Sequence, residues 1–158
     1  MKSTLATLLF LLPILMRAAC DQNRPTPMDG IQNPVTENTE SMSDTLVIKI
    51  GSKEFTATLL DNPTATAFKA MVPLTMNMTE LNSNEKYFDL SKTLATNASN
   101  PGKINTGDLL LYGSKTLVLF YKAFSTSYSY TKLGKIDNPS GLAEALGSGN
   151  VVVIIELK

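Results

Sequence analysis

The chemistry that this sequence offers comes from carboxylates, lysines, tyrosines and hydroxyl groups. Its 158 residues include no histidine and a single cysteine, Cys20. Nucleophile systems that pair serine or cysteine with histidine are therefore excluded. Zinc, copper and haem sites draw most of their ligands from histidine and cysteine, so none is expected. We predict no catalytic residue, no metal site and no cofactor.

The carboxylates do not suggest an acid–base pair. Asp61 and Asp108 lie beside predicted turns, while Glu85 and Asp89 flank Tyr87 in a weak strand pattern. General acid–base catalysis needs a group held within reach of the proton that it moves. Nothing in the spacing of these acids indicates such an arrangement. We interpret them as a cap, turn residues and solvated surface charges.

Soft and aromatic side chains offer a better binding surface than the charged groups. Methionine adapts to irregular ligands, and tyrosine combines a large contact area with a hydroxyl group. These properties lead us to predict ligand-binding residues at Met76, Met78, Tyr87, Tyr112, Phe120, Tyr121 and Tyr130. The alternative is that most of them form core and rim. Tyr128 and Tyr130 share one face of an alternating segment, which makes that face the better surface candidate.

The charge balance argues against a nucleic-acid partner. The chain has 14 basic and 14 acidic residues, and its only arginines, Arg17 and Arg24, precede the predicted domain. Nucleic-acid-binding domains usually carry a clustered basic face, which is missing here. We therefore expect a peptide or small-molecule ligand rather than DNA or RNA.

The first residues are typical of an export signal. Lys2 precedes an apolar run over residues 5–16, and Arg17-Ala18-Ala19 leads to Cys20. Twelve helical residues rise only about 18 Å, too little for a hydrocarbon core of about 30 Å. The end of this segment resembles a bacterial lipobox, although Arg17 replaces the usual aliphatic residue.

We predict a lipoprotein signal peptide at residues 1–19 and lipidation of Cys20. The protein would then be exported and attached to the membrane of a bacterial cell envelope through its lipid. An ordinary secretory signal is the alternative. Residues 20–44 contain three prolines, many polar residues and no aromatic residue, so we predict a disordered tether there.

The remaining residues, 45–158, show the patterns of a mainly β domain. Residues 45–50 and 54–59 alternate like a hairpin around a turn at 51–53, and residues 109–112 and 117–121 are apolar on both faces. Two short helices are predicted after Asn62-Pro63 and Asn138-Pro139. A last strand covers residues 151–157, also apolar on both faces. Two short helices cannot cover an open sheet, but they can close the mouths of a barrel.

The same region resembles the cyclophilin-like fold family found in bacterial proteins. The resemblance rests on the order and spacing of residues 55–60 (FTATLL), 62–68 (NPTATAF), 71–75 (MVPLT), 107–109 (GDL), 117–121 (LVLFY) and 128–134 (YSYTKLG). It implies a closed eight-stranded β-barrel capped by two short helices over residues 45–158.

The resemblance implies less about activity. True cyclophilins use an arginine that hydrogen-bonds the substrate backbone, with histidine, glutamine and aromatic neighbours. Residues 45–158 contain no arginine, histidine or glutamine. We therefore expect a non-catalytic, membrane-tethered binding module for a peptide, glycan or small apolar ligand. The alternatives are a degenerate peptidyl-prolyl isomerase and a structural accessory of an envelope complex.

Overall fold

The computed structural model describes residues 44–158. The predicted signal peptide, Cys20 and nearly all of the predicted tether lie outside the described residues. Within this part of the chain, no helix is long and apolar enough to cross a membrane. Ten strands and two helices follow one another as β1 (Thr45–Ile50), β2 (Lys53–Leu59), α1 (Pro63–Lys69), β3 (Leu74–Leu81), β4 (Glu85–Asp89), β5 (Lys103–Ile104), β6 (Asp108–Tyr112), β7 (Thr116–Phe120), β8 (Phe124–Ser125), β9 (Thr131–Ile136), α2 (Leu142–Leu146) and β10 (Val151–Leu157).

Eight of the strands form a closed antiparallel barrel. The order around the barrel is β1-β10-β3-β4-β7-β6-β9-β2, and pairing of β2 with β1 closes the ring. The predicted closed eight-stranded barrel with two short helices is therefore confirmed. The short strands β5 and β8 pair only with each other, and the sequence patterns did not reveal this second sheet.

The barrel interior follows the alternation of the strands. On β1, Leu46, Ile48 and Ile50 are buried, and Phe55, Ala57 and Leu59 face them from β2. The helices add Phe68, Leu142 and Leu146 to the same core. Strand β10 covers residues 151–157 as predicted, and Val153 and Ile155 point into the core. On its apolar outer face Val152 is 52% exposed and Ile154 is half-buried.

The two helices begin by different mechanisms. Asn62 caps α1 as predicted, since its side chain accepts a hydrogen bond from the backbone of Ala65 and Pro63 occupies the first turn. At the second site the predicted cap is wrong. Asn138 instead bonds the backbone of Ser140, and α2 starts after Gly141, whose φ of 78° suits glycine.

The β6–β7 hairpin is covered on both faces, as its continuous apolar runs indicated. Leu109, Leu111, Leu117 and Leu119 point into the barrel core. On the outer face, a second cluster buries Ile104, Leu110, Val118, Phe120 and Tyr130, with Tyr87 and Phe124 packed against it. The small β5–β8 sheet and the segment before β9 thus form a layer outside the barrel, and this layer shapes the candidate site.

Candidate functional site

A cavity of about 440 Å³ lies on the outside of the barrel, over β4, β6 and β7. Strand β4 supplies one wall because alternate residues of a strand share a face, which brings Glu85, Tyr87 and Asp89 together. The tight turn before β4 contains Asn82 and Ser83, both with positive φ near 55°, and fixes where this wall begins. The cavity therefore combines a regular strand face with side chains from the outer layer.

Five of the twelve residues that line the cavity are aromatic. These are Tyr87, Tyr112, Phe124, Tyr128 and Tyr130. The ring centroids of Tyr112 lie 6.1 Å from Tyr128 and 5.7 Å from Tyr130. Tyr130 also meets Phe120 edge to face at 5.6 Å, and Phe120 meets Phe124 at the same distance. Such contacts hold each ring in a defined orientation.

The rings divide into a buried base and an exposed mouth. Tyr130 is only 7% exposed, whereas Tyr112 and Tyr128 are 47% and 62% exposed. Burial raises the pKa of the Tyr130 phenol, and the nearby Glu85 carboxylate raises it further. The phenol therefore stays protonated at neutral pH.

The polar side of the cavity is made of oxygen-bearing side chains and acids, namely Asn82, Asn84, Glu85, Asp89 and Thr116. The two acids differ in their surroundings. Asp89 accepts a hydrogen bond of 2.7 Å from Thr116 and lies 3.8 Å from the ammonium of Lys115. Glu85 is only 9% exposed, and its carboxylate has no hydrogen-bond donor or cation among residues 44–158. Burial, and then the charge of Glu80, raise the pKa of Glu85.

A fully buried lysine lies on the opposite face of β4 from the cavity. The ammonium of Lys86 donates to the carboxylate of Glu80, to the carbonyl of Gly147 at 2.9 Å and to that of Gly149 at 2.6 Å. The hydroxyl of Tyr121 donates to Glu80 at 2.9 Å. All three lysine donors are thus satisfied, and β3, β4 and the turn before β10 are joined.

The protonation states of this group support an ion pair. Burial and the Glu80 carboxylate raise the pKa of Tyr121 to about 12. Burial alone would raise the pKa of Glu80, but hydrogen bonds from Lys86 and Tyr121 outweigh that effect and lower it. Glu80 is therefore an anion at neutral pH, and Tyr121 is a neutral donor to it.

Three of the seven predicted ligand-binding residues line the cavity. These are Tyr87, Tyr112 and Tyr130. Phe120 lies fully buried beneath them, and Tyr121 turns its hydroxyl toward Glu80. The remaining two, Met76 and Met78, are each 1% exposed and belong to the barrel core. They occupy the inward positions of β3, so the structure does not bring them to the cavity.

For Glu85, the structure differs from the interpretation of the sequence. Glu85 was expected to be a solvated surface charge, but the outer layer buries it. The available signal was its spacing of two from Tyr87 and four from Asp89, which places all three on one face. The alternation of the sequence predicts Tyr128 on a surface face, whereas nothing in the sequence except its aromatic side chain points to Phe124 as a cavity residue. Among the described residues, no three His, Cys, Asp or Glu side chains group to hold a metal ion.

Comparison with known proteins agrees with this architecture. The cyclophilin-like family model matches residues 48–156. The chain therefore belongs to the cyclophilin-like family. A solution structure of a hypothetical protein from Archaeoglobus fulgidus has a TM-score of 0.53 and 19% identity, over 77% of this chain and 99% of that chain. This likeness supports the fold alone. The comparison with curated proteins gives no match.

Proposed function

We propose that this protein is a non-catalytic, membrane-tethered binding module that holds a peptide, glycan or small ligand in the aromatic cavity. The observation that carries the proposal is the cavity itself. Ligand sites are usually concave, largely apolar and equipped with a few placed polar groups, at volumes of about 300–1,000 Å³. Five aromatic rings and five polar side chains in about 440 Å³ fit that description.

The composition of the cavity supports binding rather than catalysis. Prolyl isomerisation and acyl transfer are accelerated by donors aimed at the charge that develops on an amide. The charged side chains among the described lining residues are acids, so the side-chain donors there are neutral amides, hydroxyls and phenols and none is a cation. Residues 44–158 also contain no arginine or histidine to take that role.

The membrane attachment in this proposal rests on the sequence. Lipidation of Cys20 after removal of residues 1–19 would attach the barrel to a cell envelope through residues 20–44. Expression with a labelled fatty acid checks this part. Label should enter the wild-type chain and be lost in Cys20→Ser; label that persists in the variant would contradict lipidation of Cys20.

The binding function is tested by titrating the full chain with short peptides, oligosaccharides and small apolar molecules. Amide NMR shifts should concentrate around Tyr87, Tyr112 and Tyr130. Tyr112→Ala, which removes a ring that contacts two others, should weaken binding about tenfold, equivalent to about 1.4 kcal/mol. Val152→Ala, a similarly exposed apolar site outside the cavity, should change the affinity less than twofold. Shifts confined to other surfaces would contradict the proposal, as would no response to any probe.

A further inference from the structure

We propose that the ligand of this cavity presents a protonated primary amine or a guanidinium group, which pairs with Glu85 among the tyrosine rings. The inference deepens the binding function proposed above and depends on it. It rests on three features of the site: a carboxylate without a partner among the described residues, a set of aromatic rings, and a surplus of hydrogen-bond acceptors.

The carboxylate of Glu85 is the first feature. A buried charge is costly unless it is paired or hydrogen-bonded. Glu80, which is mostly buried, has Lys86 and Tyr121 as partners. Glu85 is 9% exposed and lines the cavity, and no donor within residues 44–158 reaches its carboxylate. Its oxygens are open to the cavity, since the Asn84 side-chain oxygen alone is both buried and unpartnered among the described side-chain polar atoms. A cation entering the cavity would supply the missing partner.

The aromatic rings are the second feature. The faces of aromatic rings attract cations within about 6 Å of their centroids. Tyr112 and Tyr128 stand at the mouth with their planes at 87° to each other, and Tyr130 forms the base. The domain already uses this interaction elsewhere, since the Lys86 ammonium lies 5.3 Å from the Tyr121 ring centroid. Rings beside an unpaired acid are the combination that binds organic cations.

The acceptors are the third feature, and they select among cations. The cavity is lined by side chains with acceptor oxygens, namely Asn82, Asn84, Glu85 and Asp89. The Asn84 oxygen is buried and has no partner among the described residues, so a ligand reaches it only if this side chain turns toward the cavity. A primary ammonium carries three N–H donors and a guanidinium five, whereas a quaternary ammonium has none. A ligand with N–H donors therefore fits this wall better than a fully methylated cation.

Other ligand classes leave the site unsatisfied. An anion would be repelled by Glu85 and Asp89, because the described lining includes no lysine or arginine. A neutral sugar or apolar molecule would contact the rings but would leave the Glu85 charge without a partner. Free amines and the side chains of lysine and arginine share the required chemistry, and the experiment separates these two sources.

The test uses matched probes with the full chain at 0.15 M salt and neutral pH. n-Butylamine and n-butylguanidine should bind at least tenfold more tightly than n-butanol, and butyrate should bind more weakly still. Butyltrimethylammonium should lie between the amine and the alcohol. Acetylated glycyl-lysyl-glycine amide is compared with n-butylamine to show whether a peptide side chain or a free amine binds more tightly. Its norleucine analogue shows how much of the peptide affinity depends on the ammonium.

The variant Glu85→Gln should remove at least a tenfold preference for the amine over the alcohol, with the larger loss in the affinity for the amine. Glu54→Gln is the matched control, since Glu54 lies outside this cavity and is mostly exposed. If the neutral alcohol binds in the cavity as tightly as the amine, the inference is overturned and the binding function stands. If no probe of any class shifts the cavity residues, the binding function itself fails.

A second readout separates a ligand-binding role of Glu85 from a structural one. Because burial raises the pKa of Glu85 in the folded protein, ionising it costs stability as the pH rises through that pKa. Glu85→Gln should therefore have a higher urea midpoint than wild type at pH 7, with the gap shrinking toward pH 4. A lower midpoint for the variant at pH 7 would show that the carboxylate supports the fold, against the inference. The titratable groups around Glu85 that enter this comparison are the cavity residues Tyr87, Asp89, Tyr112, Tyr128 and Tyr130, and Glu80 and Tyr121 of the Lys86 group on the opposite face of β4.

Discussion

At the scale of single residues, the charged side chains on the two faces of β4 differ in their hydrogen-bond partners. Lys86 is fully buried, and each of its three N–H donors has an acceptor. Its neighbour Glu85 is nearly as buried and has no donor among the described residues. A buried ammonium whose N–H donors all have acceptors stabilises the fold, whereas a carboxylate without a donor can pair with a ligand. Adjacent residues thus serve the fold and the proposed site separately.

Replacing Lys86 with methionine tests the structural half of this contrast. Lys86→Met should lower the free energy of unfolding by about 3 kcal/mol, because it leaves the Glu80 carboxylate and the carbonyls of Gly147 and Gly149 without a cation. Urea denaturation followed by circular dichroism measures the loss. Lys69→Met is the control, since Lys69 pairs with Asp44 at 2.6 Å on the surface, where an ion pair contributes about 0–1 kcal/mol. Equal losses in the two variants would mean that the buried network adds nothing.

At the scale of secondary structure, the strand patterns determined much of what could be predicted. Alternation of apolar residues located the β1–β2 hairpin and its buried face, and continuous apolar runs located β6 and β7. A similar apolar run forms β10, but there Val152 is exposed. A period of two shows which residues share a face, but not whether an outer layer covers that face.

This limit also explains the mixed result for the candidate site. Tyr87 and Glu85 share the outward face of β4, while Met76 and Met78 share the inward face of β3. Residue type favoured the methionines as ligand contacts and made the acid look like a solvated charge. Met76 and Met78 are buried because they face the barrel core, whereas Glu85 lines a cavity whose other walls include Phe124 from β8 and Tyr130 from the outer layer. The aromatic half of the cavity was therefore predictable, and its acidic half was not.

The helix ends show how one dipeptide pattern gives different structures. Asn62 accepts from the backbone of Ala65 at 2.8 Å, and its amide donates to the carbonyl of Lys132 at 3.0 Å, which attaches α1 to β9. Asn138 also precedes a proline, but it bonds Ser140 within a turn. The pattern identifies a turn of the chain in both places, and only tertiary contacts decide whether a helix begins there.

Alanine substitutions at the two asparagines measure this difference. Asn62→Ala should cost about 1–2 kcal/mol of unfolding free energy, because it removes both a helix cap and the bond to β9. Asn138→Ala should cost about 0.5 kcal/mol, since it loses a single bond in an exposed turn. Thermal and urea denaturation of both variants provide the comparison. A loss at Asn138 that equals the loss at Asn62 would contradict the assignment of the cap.

At the scale of the whole molecule, the barrel depends on β9 fitting tightly between β2 and β6. Gly134 pairs with Leu59 on one side and with Leu109 on the other. A Cβ atom at this position would lie 2.4 Å from the carbonyl oxygen of Thr58 and 3.0 Å from the Cα of Leu59. Both are backbone atoms, so the clash cannot be relieved by a rotamer change. A methyl group added at Gly134 would therefore disturb this seam, the β2–β9 pairing that helps to close the barrel.

Gly134→Ala should therefore lower the free energy of unfolding by about 3 kcal/mol, through overpacking against backbone rather than through lost contacts. Hydrogen exchange should accelerate first at the amides of β2 and β9 that join across the seam, while the β3–β4 pair stays protected. Gly149→Ala is the matched control, because a Cβ there meets nothing within 4 Å and its φ is not in the left-handed region. Its stability should stay within about 0.5 kcal/mol of wild type. Uniformly faster exchange in Gly134→Ala would show that the barrel opens as one unit, and an unchanged stability would show that β2 and β9 can separate slightly at no cost.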